Sequence, residues 1–209
     1  MTVTDIVEIS KSKVKIWIDN EAAFVLYKGE LRQLDIIKGK ALSEESFHHI
    51  TKELLVKRAR LRCLNLLKSR DYTKYQLTVK LRQGAYPEYV IENAIDYVAS
   101  YGYIDDVRYA QSYIKYAGNA KSKKQIEYDL QKKGVSKQDI EYAYMQCAEK
   151  NIYVDEMDLI EKFLQKKNFL KEASTLEERR KMTAFLYRKG FSWDNIRRAV
   201  GEGYCSDRN

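Results

Sequence analysis

Lys133-Gly134-Val135-Ser136 and Lys189-Gly190-Phe191-Ser192 are two copies of one helix–turn–helix signature. In each, the glycine stands four residues after an anchoring leucine, Leu130 or Leu186. The pattern is that of a helix ending at a residue free to take positive φ, an apolar residue folding back, and a serine opening the next helix. Ile126, Leu130, Val135, Ile140, Ala143 and Tyr144 have the same spacing as Met182, Leu186, Phe191, Ile196, Ala199 and Val200. Leu77, Leu81, Tyr86, Ile91, Ala94 and Ile95 match as well, with offsets of 49 and 56 residues between successive copies. There Pro87 suits the cap or first turn of the second helix.

A further correspondence adds a third helix to the unit. Tyr103-Ile104-Asp105-Asp106 with Tyr113 and Ile114 parallels Tyr153-Val154-Asp155-Glu156 with Phe163 and Leu164 at an offset of 50. A bundle of about 50 residues is near the lower limit of independent stability, so copies should support one another in an elongated array. Upstream, residues 3 to 28 alternate with period two through Val7, Ile9, Val14, Ile16, Ile18, Phe24 and Leu26. Breaks at Ser10 to Ser12 and at Asp19-Asn20 divide them into an antiparallel meander of three strands. The apolar period becomes helical from about Glu44, which predicts a mainly α chain. Its expected parts are a β-rich extension over 1–43 and three-helix repeats over 44–102, 103–152 and 153–209.

Several of these residues are similar to those of the RecX family of bacterial regulators. The resemblance rests on Gly102-Tyr103-Ile104-Asp105-Asp106 with Arg108-Tyr109-Ala110, on the two Lys-Gly turns, and on Arg70, Tyr72, Thr73, Leu77 and Leu81. It covers roughly residues 50 to 201. It implies three tandem three-helix repeats in a protein that binds the RecA recombinase filament in its helical groove and restrains recombination and the SOS response. The first repeat departs from the family pattern in two places. The turn glycine falls on Ala85, with Gly84 one place early, and the usual Ser-x-x-Glu helix start reads Thr73, Lys74, Tyr75, Gln76. Thr73 and Gln76 can still form a capping box.

The composition, 44% apolar and 33% charged with one proline, is that of a folded chain. No apolar run approaches the roughly 20 residues of a membrane helix, and Asp5, Glu8, Lys11, Lys13, Lys15 and Asp19 interrupt any signal-peptide core, so a cytoplasmic protein is expected. Cys63, Cys147 and Cys205 lie far apart and read as free thiols.

No catalytic or cofactor constellation emerges, so the expectation is a non-enzymatic protein without metal or cofactor. Gly201-Glu202-Gly203-Tyr204-Cys205-Ser206 lacks the Lys-Ser/Thr and the helix of a phosphate loop. His48 and His49 are adjacent and cannot share a helix face. Asp105-Asp106 and Asp155-Glu156 are better read as helix-opening carboxylates than as metal or acid–base pairs.

The net charge of +8 is unevenly spread, with 31 basic against 22 acidic residues over 51–209. One basic cluster falls in each repeat, over 57–82, 115–137 and 179–198, which favours a binding stripe over three unrelated solvated faces. The candidate filament- or DNA-binding residues are Arg58, Arg62 and Arg70; Lys121, Lys123, Lys124, Lys132 and Lys133; and Arg179, Arg180, Lys181, Arg188, Lys189, Arg197 and Arg198. A helical wheel points Lys124, Lys132 and Arg198 outward. It places Trp193 in the core beside Ile196 and Val200, and Tyr97, Tyr101, Tyr109, Tyr113, Tyr116 and Tyr128 read as packing residues rather than base-stacking platforms.

Two functions follow. One is a monomeric modulator of the RecA filament that also admits contact with single- or double-stranded DNA and needs no membrane. The other is a nonspecific or helix-turn-helix-like DNA-binding protein. Against the second stand Glu88, Glu92 and Asp96 of the first repeat, where a reading helix would meet phosphates.

Overall fold

The structure, a computed structural model, describes residues 1–150, 152 and 155–201. Two compact units divide the chain, Met1–Asp105 and Asp106–Asn209.

The first unit opens with strands β1 (Val3–Glu8), β2 (Lys13–Ile18) and β3 (Glu21–Tyr27), antiparallel in the order β1-β2-β3. Asp19 and Asn20, both at positive φ, make the two-residue connection between β2 and β3. Alternation on β2 buries Val14, Ile16 and Ile18. A short helix α1 (Lys28–Gln33), not expected from the sequence, follows directly. Its start is fixed by Glu30, whose carboxylate accepts the Tyr27 amide at 2.8 Å.

Helix α2 (Glu44–His48) is capped by Ser43 and runs through a π-helical stretch, His49–Leu54, into α3 (Leu55–Leu67). The buried Thr51 hydroxyl donates to the Phe47 carbonyl at 2.7 Å, competing for the oxygen that an α-turn would give to the Thr51 amide. Helices α4 (Lys74–Gln83) and α5 (Glu88–Ser100) complete this unit. Ile16 and Leu26 of the sheet lie in one apolar cluster with Leu55, Ala59, Cys63, Leu77, Leu81 and Ile91. The meander and helices α3, α4 and α5 therefore share a core, in which each fully buried Leu or Ile contributes about 1.5–3 kcal/mol.

The second unit holds two three-helix sets, α6 (Asp106–Ala117), α7 (Lys123–Lys132) and α8 (Lys137–Glu149), then α9 (Glu156–Lys166), α10 (Leu176–Arg188) and α11 (Trp193–Val200). Each set has its own apolar cluster, one around Ile126, Leu130 and Ile140 and one around Ile160, Leu186 and Ile196. Local chemistry sets the helix starts. Thr73 and Gln76 form the capping box, and Ser122, Ser136 and Ser192 each accept an amide three residues on. Asp155 accepts the Met157 amide at 2.9 Å, so that carboxylate is a cap. Tyr153 and Val154, which extend the same motif, lie outside the described residues, as do Cys205 and the rest of the stretch after Gly201. Cys63 and Cys147 are buried free thiols.

Candidate partner-binding surface

Every repeat turns at one left-handed residue. Gly134 has φ +84° and Gly190 φ +85°, while in the first repeat Ala85 takes the conformation at φ +55°. Gly84 does not take it, because the Gly84 amide closes the last turn of α4 onto Leu81 and the chain reverses one residue later. The turn residue is therefore the same in all three repeats, and the flanking positions are structurally equivalent. Arg82 and Glu88, Gln131 and Lys137, and Tyr187 and Trp193 are three such pairs.

In the first unit, two of the three cations of the expected stripe already have partners. Arg58 pairs with Glu30 and lies 4.8 Å from the Tyr27 ring centre, its side chain only 19% exposed. Arg70 lies 4.5 Å over Tyr72, and Arg62 is exposed. Two cations outside the expected set are engaged as well. Arg60 bonds Asn93 and covers Tyr97, and Arg82 forms a two-pronged pair with Glu88 at 2.8 and 2.9 Å.

In the second unit the expected residues separate into held and projecting ones. The Lys121 ammonium donates to Asp129 at 2.6 Å and to the Tyr113 hydroxyl at 3.1 Å. These bonds raise the pKa of Lys121, and the bond from Lys121 chiefly lowers that of Asp129. Lys133 sits over the same Tyr113 ring, Lys123 over Tyr144 with Glu127 at 4.0 Å, and Lys132 over Tyr128. Arg179 is spent on the Ser174 hydroxyl and the Lys171 carbonyl, and Lys181 pairs with Glu177 at 2.6 Å. Lys189 is half-buried near Phe163 and Phe185. Lys124, Lys132, Arg180, Arg188, Arg197 and Arg198 are exposed, which for Lys124, Lys132 and Arg198 agrees with the wheel.

The aromatic expectations need correction. Trp193 is not a core residue: it is 48% exposed and faces Tyr187, 54% exposed, with ring centres 5.2 Å apart. The wheel fails because Trp193 is the first residue of α11, where no preceding turn lies beneath it. Tyr116 and Tyr128 are likewise exposed, Tyr116 to 80%, while Tyr101, also exposed, packs its ring against Tyr97 and Tyr103. Tyr97, Tyr109 and Tyr113 are half-buried as expected. The interleaving of tyrosine with lysine and arginine has an intramolecular reason in addition, since rings such as Tyr27, Tyr72, Tyr97, Tyr113 and Tyr128 seat cations of the same chain.

Among the described residues, no cluster of three or more His, Cys, Asp or Glu could hold a metal, and no helix is long and apolar enough to cross a membrane. A sheet-supported three-helix unit followed by two more, each reversed at an equivalent left-handed residue and studded with cations, defines a tandem three-helix-repeat protein. Models of the first, second and third three-helix domains of RecX match residues 59–97, 105–143 and 155–200. The chain belongs to the RecX family. The regulatory protein RecX of Clostridium acetobutylicum is 31% identical over 195 residues, covering 92% of this chain and 90% of that protein. That of Caldanaerobacter subterraneus subsp. tengcongensis is 28% identical over 204 residues, covering 96% and 98%. A crystal structure of regulatory protein RecX superposes with a TM-score of 0.62 over 95% of this chain and 98% of that one, at 24% identity, a likeness of fold. Relatives along nearly the whole chain thus carry the name of regulators.

Proposed function

We propose that this chain is a non-enzymatic, cytoplasmic, monomeric regulator that binds the RecA recombinase filament and inhibits its recombination and ATPase activities. The four parts 1–43, 44–102, 103–152 and 153–209 are its working modules. The observation that carries this reading is the set of exposed cations in successive repeats, Lys124 and Lys132 in one and Arg188 and Arg198 in the next. Lys132 and Arg188 occupy the same position relative to their anchoring leucines. Repeated weak contacts along a helical filament act together, because once one repeat is seated the next sees its site at high effective concentration. Occupancy alone then obstructs strand uptake or filament growth, and no cofactor is required.

The test is the ATP-hydrolysis rate of a RecA filament on single-stranded DNA as the protein is added. Hydrolysis should fall at protein concentrations too low to coat free DNA, and simultaneous reversal of Lys124, Lys132, Arg188 and Arg198 to Glu should abolish the fall. Unchanged inhibition by that variant removes these cations from the mechanism. No inhibition by the natural protein, together with tight salt-sensitive DNA binding, favours the DNA-binding alternative.

A further inference from the structure

The turn-flanking pair differs sharply among the three repeats. In the first it is Arg82 and Glu88, which neutralise each other across the turn. In the third it is Tyr187 and Trp193, two large aromatic residues about half-exposed each and tilted 34° to one another. A cross-turn clamp does not need this much exposed ring, as the ion pair of the first repeat illustrates. Apolar surface left in water at a position where the fold accepts charged groups is surface available to a partner.

The surroundings specify what partner. Arg188 follows Tyr187 directly and is exposed. Gly190, at the tip of the turn, packs against the start of α7: a Cβ placed on it would lie 2.9 Å from the Ser122 hydroxyl oxygen and 3.6 Å from the Lys124 Cβ. Lys124, from the preceding repeat, therefore stands beside the turn that carries the aromatic pair. Among the described residues, neither Lys124 nor Arg188 has a carboxylate partner for its side chain. Two carboxylates lie near: exposed Asp194, adjacent in sequence to Trp193 at the N-terminal turn of α11, and Glu156, which accepts the Lys123 amide and the Asn195 side-chain amide. Rings flanked by projecting cations match a ligand with flat apolar faces strung on an anionic backbone.

We infer that Tyr187 and Trp193 form a stacking platform for an unpaired base of single-stranded nucleic acid, with Lys124 and Arg188 meeting the phosphates on either side. A duplex keeps its base faces stacked and cannot use the platform. The site is independent of the filament reading, because it binds nucleic acid with no recombinase present.

The experiment exploits the chain's two tryptophans. In a Trp17→Phe background the remaining tryptophan is Trp193, excited selectively over the tyrosines, and a short oligothymidylate of about 15 nucleotides, long enough for a site of this kind, is titrated at low salt. Stacking predicts quenching by the single strand and none by a duplex of equal length. In anisotropy titrations with the same oligothymidylate end-labelled, Trp193→Leu in the natural chain, which keeps an apolar contact to Tyr187, should weaken binding about tenfold, or about 1.4 kcal/mol, and Trp193→Phe should recover most of it. An unchanged melting temperature of the Leu variant establishes that folding is not the cause. Oligothymidylate binding without quenching, equal affinity of the Leu variant, or no binding at all overturns the proposal. Loss of RecA inhibition by Trp193→Leu with oligothymidylate affinity unchanged also overturns it and assigns the rings to a protein contact, whereas the charge-reversal result alone decides the filament reading.

Discussion

The Ser122 hydroxyl donates to the main-chain carbonyl of Lys189 at 2.7 Å while accepting the amide of Gln125 at 3.3 Å. One buried oxygen thus caps α7 and fastens it to the α10–α11 turn, 67 residues away in sequence. Close by, the Glu156 carboxylate accepts the Lys123 amide at 2.9 Å and the Asn195 side-chain amide at 3.1 Å. The second and third repeats are therefore joined by polar bonds at the ends of their helices, in addition to whatever apolar surface they share.

That relationship sets an expectation for two serines with the same local role. Ser136→Ala removes an exposed cap and should cost about 1 kcal/mol. Ser122→Ala removes the cap and also strands the Lys189 carbonyl, and should cost about 1–2 kcal/mol more. Urea denaturation of the two variants measures the difference, and equal losses would mean that the bond to Lys189 adds nothing.

The first-repeat turn yields a pair of opposite substitutions. Ala85→Gly relieves a non-glycine residue at φ +55° and should stabilise the protein by about 1 kcal/mol. Gly84→Ala should do the reverse, because the new Cβ would lie 2.9 Å from the Tyr86 ring and 3.1 Å from the Leu81 carbonyl oxygen. Melting temperatures moving in opposite directions would confirm both.

Acid stability should register the Lys121–Asp129–Tyr113 cluster. The Lys121 ammonium holds the Asp129 carboxyl below the ordinary aspartate value of 3.8, so the folded state binds its proton less readily than the unfolded chain. The resulting stability is complete above that value and is lost as the pH falls through the lower folded-state pKa. Asp129→Asn should be less stable than the natural chain at neutral pH, with the gap closing in acid. Denaturation across pH 2 to 7 reads the convergence, within the ordinary range of carboxylate titration.

The buried thiols provide an alkaline counterpart. Burial pushes the Cys63 pKa from 9.0 up to about 11, and raises that of Cys147 as well. In a Cys205→Ser background, neither thiol should react with a disulfide reagent near pH 8 until the protein is unfolded. The neutral Cys63 thiol contributes stability that is present below 9.0 and lost as the pH rises toward 11. Cys63→Ala should flatten that part of the alkaline decline.

The repeat, the caps and the strand meander were legible from the residues alone. These follow from local rules: Gly134 and Gly190 at left-handed turns, Thr73 with Gln76, Ser136 and Ser192 at helix starts, and the alternation of Val14, Ile16 and Ile18. The left-handed turn at Ala85 was legible too, because the spacing from Leu81 to Tyr86 matches the other two copies. Which cations remain available depends on contacts between elements distant in the chain. Arg58 and Lys121 look like Lys124 and Arg188 in the sequence, but Glu30 and Asp129 come from other elements to hold the first two. The tertiary structure also decides that Ser122 reaches Lys189 and that Trp193 faces Tyr187 in solvent. A helical wheel gives the direction of a side chain from its own axis; whether a core lies in that direction depends on neighbours brought in by the fold, and at the first residue of α11 the neighbour is Tyr187, itself exposed.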